Sequence, residues 1–303
     1  MGGFSIFWDT LSPEFKLPLA DFNQPSNFNF VGIFWQDGVA GSVGFLFMNQ
    51  GLIMRFMACK SVHEGRKAAA FNVLILLPIC TIVVSNAGWI GKAISIVTPE
   101  SWNATTQLDH VFTQVAYLIT GSEVLFAFVI AAVAAALMST VDTLINAVAA
   151  VVINDIYRPI VKDKDDKHYL KVAMIVSAGA TAVGALSTIF FENFPTLYEA
   201  HGFFHSTMTP PLVVAIFLGI FWKRYSTPAA FATFLGGAIL MWIGNKYPQI
   251  FISPFDHGIE FNPERPYTYI RALYNTLVCA GSGVIVGLLT TPPSEEKMEG
   301  LTV

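Results

Sequence analysis

Charge is scarce in this sequence. Lys, Arg, Asp and Glu make up 13% of its 303 residues, against roughly a quarter in ordinary soluble domains. Cysteine is scarce too. Cys59, Cys80 and Cys279 form no CxxC and no Cys/His spacing, which excludes a disulfide framework or a zinc ribbon and leaves them as packing residues. The net charge of −4 implies no charged partner, and no basic stripe is interleaved with aromatics, so a nucleic-acid role is excluded. Residues 1–29 lack the apolar core of a signal peptide, because Asp9, Glu14 and Asp21 interrupt it and no basic start precedes it. The glycines at 38, 41 and 44 follow no strand and precede no nucleotide motif, so they are not a phosphate loop.

Apolar residues fill the place of the missing charge. At 54% hydrophobic residues and a mean hydropathy of +0.56, the chain reads as an all-α integral membrane protein in contact with a lipid bilayer. A hydrocarbon core of about 30 Å takes roughly 20 helical residues to cross. Stretches of that length are expected at 29–58, 68–97, 122–154, 168–191, 196–222, 228–247 and 268–290, seven transmembrane helices. The first and third are overlong, so their ends should reach water or pack on other helices.

Basic residues in short turns set the orientation. Arg55, Lys60, Arg66 and Lys67 follow the first span; Arg158, Lys162, Lys164, Lys167 and Lys171 follow the third; Lys223 and Arg224 follow the fifth. These turns are expected in the cytoplasm, and 98–121, 192–196 and 248–267 outside. The N-terminus is then external and the C-terminus cytoplasmic, in a multi-pass cell (inner) membrane protein. An external start without a translocation signal points to helices upstream of Met1.

The third span holds polar groups where lipid-like residues surround them. A helix turns about 100° per residue, so Ala136, Ser139, Thr140 and Thr143 share one side, flanked by Asp142 and Asn146. A small residue leaves its carbonyl approachable and two adjacent hydroxyls supply hard oxygen donors, a set suited to Na⁺. The same hydroxyls can instead bond back to the carbonyl four residues earlier or join helices. Asp142 favours function, since an ionisable group at a helix centre costs about 2.5–3.5 kcal/mol on insertion scales.

The stretch AALMSTVDTLINAVAAVVINDIY (Ala135–Tyr157) resembles the signature of the sodium:solute symporter family. FMNQGLIMRFMACKSVHEGRK (Phe47–Lys67) resembles its second characteristic segment, and TPPLVVAIFLGIFWKR (Thr209–Arg224) resembles the end of a later helix. The likeness runs from about Phe30 to the last span and corresponds to the second half of a typical member. It implies a LeuT-like fold, with two inverted five-helix repeats around a midplane site. Residues 29–222 are then the second repeat, 223–291 two peripheral helices, 292–303 a short cytoplasmic tail, and 1–28 an external segment with a truncated start. The missing N-terminal half would carry the partner helix of the ion site. By this resemblance Na⁺ as coupling ion, with no organic cofactor, is held by the Ala136 carbonyl and the Ser139 and Thr140 hydroxyls. Thr143, Asp142 and Asn146 tune it, or Asp142 carries a proton instead.

Two further constellations are candidates for the solute and its gate. Gln36 and Asp37 precede the glycines at 38, 41 and 44. Those glycines mark either a broken helix whose backbone meets solute or a helix-packing stripe. Ser42 and Phe45 resemble the family's polar contact and aromatic gate. In the fifth span Glu199, His201 and His205 precede Pro210-Pro211, which should kink the helix. Family members that carry sugars place a glutamine where this sequence has Gly202. The expected activity is Na⁺-coupled symport of a small organic solute, sugar-like by preference. A solute sensor without flux, or a membrane enzyme using Asp142 or Glu199 with His201 and His205 as acid and base, are the alternatives. Pro78 with Ser85 and Asn86 reads as a hinge or a satisfied kink, the Asn103-Ala104-Thr105 sequon as a chance match, and Asp155 as closing the inner end of the third span.

Overall fold

The computed structural model describes residues 3–16, 30–99, 108–194, 196–256, 258, 261, 263, 266, 267 and 269–298. No strand occurs among them. Six helices are long and apolar enough to span a membrane: α1 (Phe30–Met48), α2 (Val62–Val97), α4 (Glu123–Ile160), α5 (Asp166–Phe191), α8 (Thr227–Lys246) and α9 (Arg271–Leu289). A bent pair, α6 (Leu197–Thr207) and α7 (Thr209–Phe221), gives a seventh if counted as one span. Each overlaps an expected stretch, but α1 ends at Met48 where the first span was expected to run to 58, because the backbone turns extended at Asn49. α3 (Val111–Thr120) is an extra apolar helix, within a segment read as an external connection. Of the segment 1–28, residues 3–16 are described and Phe4–Thr10 is helical, while 1, 2 and 17–28 lie outside the described residues. The sequon lies outside them altogether.

Two compact units divide the chain, residues 1–16 with 50–197 and residues 17–49 with 198–303. In the first unit, Ser61 begins α2 by accepting from the Glu64 amide at 3.3 Å, with Lys67 paired to Glu64 at 3.1 Å. A π-helical turn at Asn72–Leu76 precedes Pro78. That wider turn lets the helix pass a residue with no amide donor. Ala93 of α2, Val115 of α3 and Leu11 are buried. Gly121, at φ 57°, ends α3 in the left-handed conformation that favours glycine.

The turn from α4 to α5 is closed by Tyr157, whose hydroxyl meets His168 Nε2 at 2.9 Å, and by Tyr169, which donates to the Val161 carbonyl at 2.9 Å. Arg158 lies 4.6 Å over the Tyr169 ring. Asp155 is exposed and takes no part, so aromatic stacking closes this end where an Asp155 contact was expected.

The second unit is built on small residues. Gly237 and Gly244 of α8 face Cys279 and Tyr274 of α9, and Gly283 of α9 faces Thr233 of α8. Helices in lipid gain little from hydrophobicity and associate by such close packing. Val214 of α7 with Met241 and Cys279 forms one apolar cluster; Ile252, Tyr267, Ile270 and Tyr274 form another. The buried Asn275 amide donates to the Ser206 carbonyl at 2.6 Å and fastens α9 to α6. Between α7 and α8, Tyr225 donates to Thr233 Oγ1 at 2.9 Å, and burial pushes its phenol up.

Candidate functional site

In the first unit, α4 carries the polar stripe on a face open in this chain. Ala136, Ser139, Thr140, Asp142 and Asn146 are exposed and Thr143 is half-buried. Thr140 Oγ1 donates to the Ala136 carbonyl at 3.2 Å, and Thr143 Oγ1 to the Ser139 carbonyl at 3.0 Å. Both are the local back-bond that hydroxyls make inside apolar helices. A hydroxyl that donates its proton keeps lone pairs for a cation. The Ala136 carbonyl, however, already receives the Thr140 hydroxyl. A cation there competes with that bond. Asn146 also lines an open cleft of about 760 Å³ between α4 and α5, with Asn154, Arg158, Asp166 and Ser177 along it.

The second unit assembles a different polar group. α1 is continuous through its glycines but π-helical over Phe34–Val43, and such wide turns recur at functional sites. A side chain at position 41 would lie 2.5 Å from His205 Nδ1, and one at 44 would lie 2.5 Å from Thr209 Cγ2 and 3.0 Å from Val213 Cγ2. Position 38 meets only Phe34 of its own helix. Gly41 and Gly44 are therefore the close approach of α1 to α6 and α7, the packing alternative of the two. Ser42 and Phe45 are exposed, Phe45 at 55%.

α6 and α7 bend by 40° at Met208, one residue before the Thr209-Pro210-Pro211 turn. Proline fits the first turn of a helix, where the missing amide is not needed. The bend brings the histidines to α1. Their ring centroids are 3.8 Å apart, and His205 Nδ1 stands 4.0 Å from Asp37 Oδ1. Glu199 is half-buried on the same helix. Tyr198 donates a short hydrogen bond to Asp37 Oδ2. Tyr198 was not among the expected residues, yet Tyr198, His201 and His205 follow the i, i+3, i+7 spacing of one helical face, a signal the sequence contains. Gln36 is fully buried beside Gly202, where an added side chain would come within 2.5 Å of its Nε2. Gln36 of α1 therefore fills the space beside Gly202 of α6.

Comparison with known proteins bears on these helices. Residues 10–237 match the model described as the sodium:solute symporter family. The sodium/myo-inositol cotransporter of Homo sapiens is 26% identical over 283 residues, which cover 86% of this chain and 38% of that protein. The sodium/glucose cotransporter of Vibrio parahaemolyticus is 21% identical over 313 residues, covering 100% of this chain and 52% of that protein. The osmoregulated proline transporter of Bacillus subtilis is 25% identical over 198 residues, covering 63% and 38%. The chain thus spans about two fifths to a half of the length of these relatives.

Proposed function

Because this chain belongs to the sodium:solute symporter family, we propose that it supplies the second repeat of a LeuT-like carrier that couples inward Na⁺ flow to uptake of a small polar organic solute. The single observation that carries the reading is the stripe on α4, a carbonyl and two hydroxyls at helical spacing with Asp142 beside them. Its open face supports a role as one wall of an ion site whose other wall is a helix outside this sequence. The length of the relatives beyond the matched span supports the same division.

Na⁺ would sit against the Ala136 carbonyl and the Ser139 and Thr140 hydroxyls, Thr140 turning from its back-bond to release the carbonyl. Asp142 sets the negative potential there, with Thr143 and Asn146 adjoining. A ligand shifts a conformational balance only by its differential affinity. Na⁺ therefore favours the outward-open state, and its loss to a cytoplasm poor in Na⁺ lets the inner side open. In the orientation set by the basic turns, the N-terminus is outside and the C-terminus in the cytoplasm.

For the solute we favour the polyol and sugar class. The names of two relatives and the buried Gln36 amide at Gly202 support it, with Glu199, His201 and His205 on α6 and Ser42 and Phe45 on α1 as candidate contacts. The test is uptake by the complete carrier in proteoliposomes with and without a Na⁺ gradient. Ser139→Ala with Thr140→Ala should abolish the Na⁺-stimulated fraction. Stimulation that survives the pair removes the ion assignment.

A further inference from the structure

Asp37, His201 and His205 have a chemistry that sodium coupling does not use. His201 and His205, four residues apart on α6, present their rings to the same side, and Asp37 reaches them from α1. One ligating atom from each of the three lies within 4.8 Å of the others. Asp37 Oδ1 and His205 Nδ1 are both buried without a hydrogen-bond partner among the described residues. They face each other at 4.0 Å, too far for a hydrogen bond. The second carboxylate oxygen is held by the Tyr198 hydroxyl, which fixes the carboxylate and leaves Oδ1 directed at the imidazole. Gly41 keeps the space clear, since a Cβ there would meet His205 Nδ1 at 2.5 Å.

We propose that Asp37, His201 and His205 form a binding site for a divalent transition-metal ion of the Zn²⁺ type. Two imidazoles and one carboxylate select borderline ions over Na⁺, Mg²⁺ or Ca²⁺, which take oxygen ligands. Zinc–ligand bonds of about 2.0–2.2 Å place tetrahedral neighbours about 3.3 Å apart. The 4.0 Å between Asp37 and His205 must therefore shorten by about 0.7 Å, and pairs that reach 4.8 Å by up to about 1.5 Å, shifts that rotation of the Asp37 carboxylate and the two imidazole rings would have to supply. The fourth position is left to water. Tyr198 is a positioning residue that orients the ligating carboxylate, as hydrogen-bond partners of metal ligands do. A bound ion ties α1 to α6 beside the bend before α7, so it should restrain whatever rearrangement these helices undergo. The site does not depend on the transport reading, because metal binding is measured without solute, Na⁺ gradient or flux.

The experiment is titration of the purified, metal-stripped protein, free of any polyhistidine tag, with Co²⁺ as a spectroscopic stand-in for Zn²⁺. Wild type should develop the intense visible band of four-coordinate Co²⁺ at one ion per chain, and Zn²⁺ should bleach it. His201→Ala and His205→Ala should each weaken binding by about a hundredfold or more, and Tyr198→Phe by about tenfold. Asp37→Asn, which preserves shape, should behave as the histidine variants do. Wild-type protein should gain thermal stability with Zn²⁺ and none with Mg²⁺, a reading that needs no variant to fold. Absence of the band in wild type, binding that persists in the double histidine variant, or equal stabilisation by Mg²⁺ would each overturn the site.

Discussion

Gly202 and Gln36 are one packing unit split across two helices. Gln36 is fully buried, and a methyl group at 202 would lie 2.5 Å from its Nε2 and 2.9 Å from its Cδ. The Gln36 amide has no exposed space to swing into, and Ala200 and Ser206 on the same stretch of α6 are buried as well, so the contact is relieved only by disturbing packed neighbours. Gly202→Ala should lower stability by about 1–3 kcal/mol, the usual result of overpacking. Gln36→Ala in the same molecule should recover most of that loss, because the two side chains share one space. Thermal unfolding of the four proteins in detergent reads the coupling, and simple additivity would refute the pairing. Position 202 stood out in the sequence only through family likeness, and Gln36 only as an amide beside glycines. Their meeting depends on how α1 crosses α6, and no local pattern encodes a crossing. The placement of Ser139 and Thr140 on one side of α4 was legible, because helical spacing alone puts them there.

Among the elements, α8 and α9 interlock through glycines that admit single large neighbours. Gly244 receives the Tyr274 ring and Gly237 receives Cys279 with its Sγ at 2.6 Å from the Cβ position, while Gly287 of α9 receives the ring of Trp222, in the turn between α7 and α8, at 2.7 Å. On α5, by contrast, Gly179 and Gly184 have open space where a side chain would go. Gly237→Leu and Gly244→Leu should each destabilise by about 1–3 kcal/mol or more, since the displaced neighbours are themselves packed. Gly184→Leu should leave the unfolding temperature of this chain unchanged or slightly raised, since it meets open space and leucine favours a helix over glycine. Equal losses at all three positions would mean that glycine serves backbone freedom here and not close approach. The spans were readable because apolar runs of that length have few other uses. α3 escaped because its ten residues, Val111–Thr120, are too short to register as a crossing. The first span ends at Met48 because Asn49 turns extended, at ψ 102°, before the helix resumes at Gln50, a break inside a continuous apolar pattern with only Gly51 beside it.

For the whole molecule, the most telling contrast is between apolar helices that are covered and apolar helices that are not. Among the described residues, none in the most apolar stretches of α2, α4 and α5 is buried, whereas a third of those in the corresponding stretch of α9 are. Apolar surface on that scale is stable only against lipid or other helices, so the membrane and the orientation within it decide how this chain works. Five basic residues, Arg158, Lys162, Lys164, Lys167 and Lys171, attend the turn from α4 to α5, and none lies in 192–196 before α6. The first turn should therefore be cytoplasmic and the second external. Cys59 and Cys80 can be replaced by serine, and Cys279 left in place because it is fully buried. In that background, Asn193→Cys should react with a membrane-impermeant maleimide on intact cells, and Lys164→Cys only after the cells are opened. The reverse pattern would place the Tyr157 end of α4 outside. It would also overturn the proposal that an ion held at Ser139 and Thr140 is released to the cytoplasm.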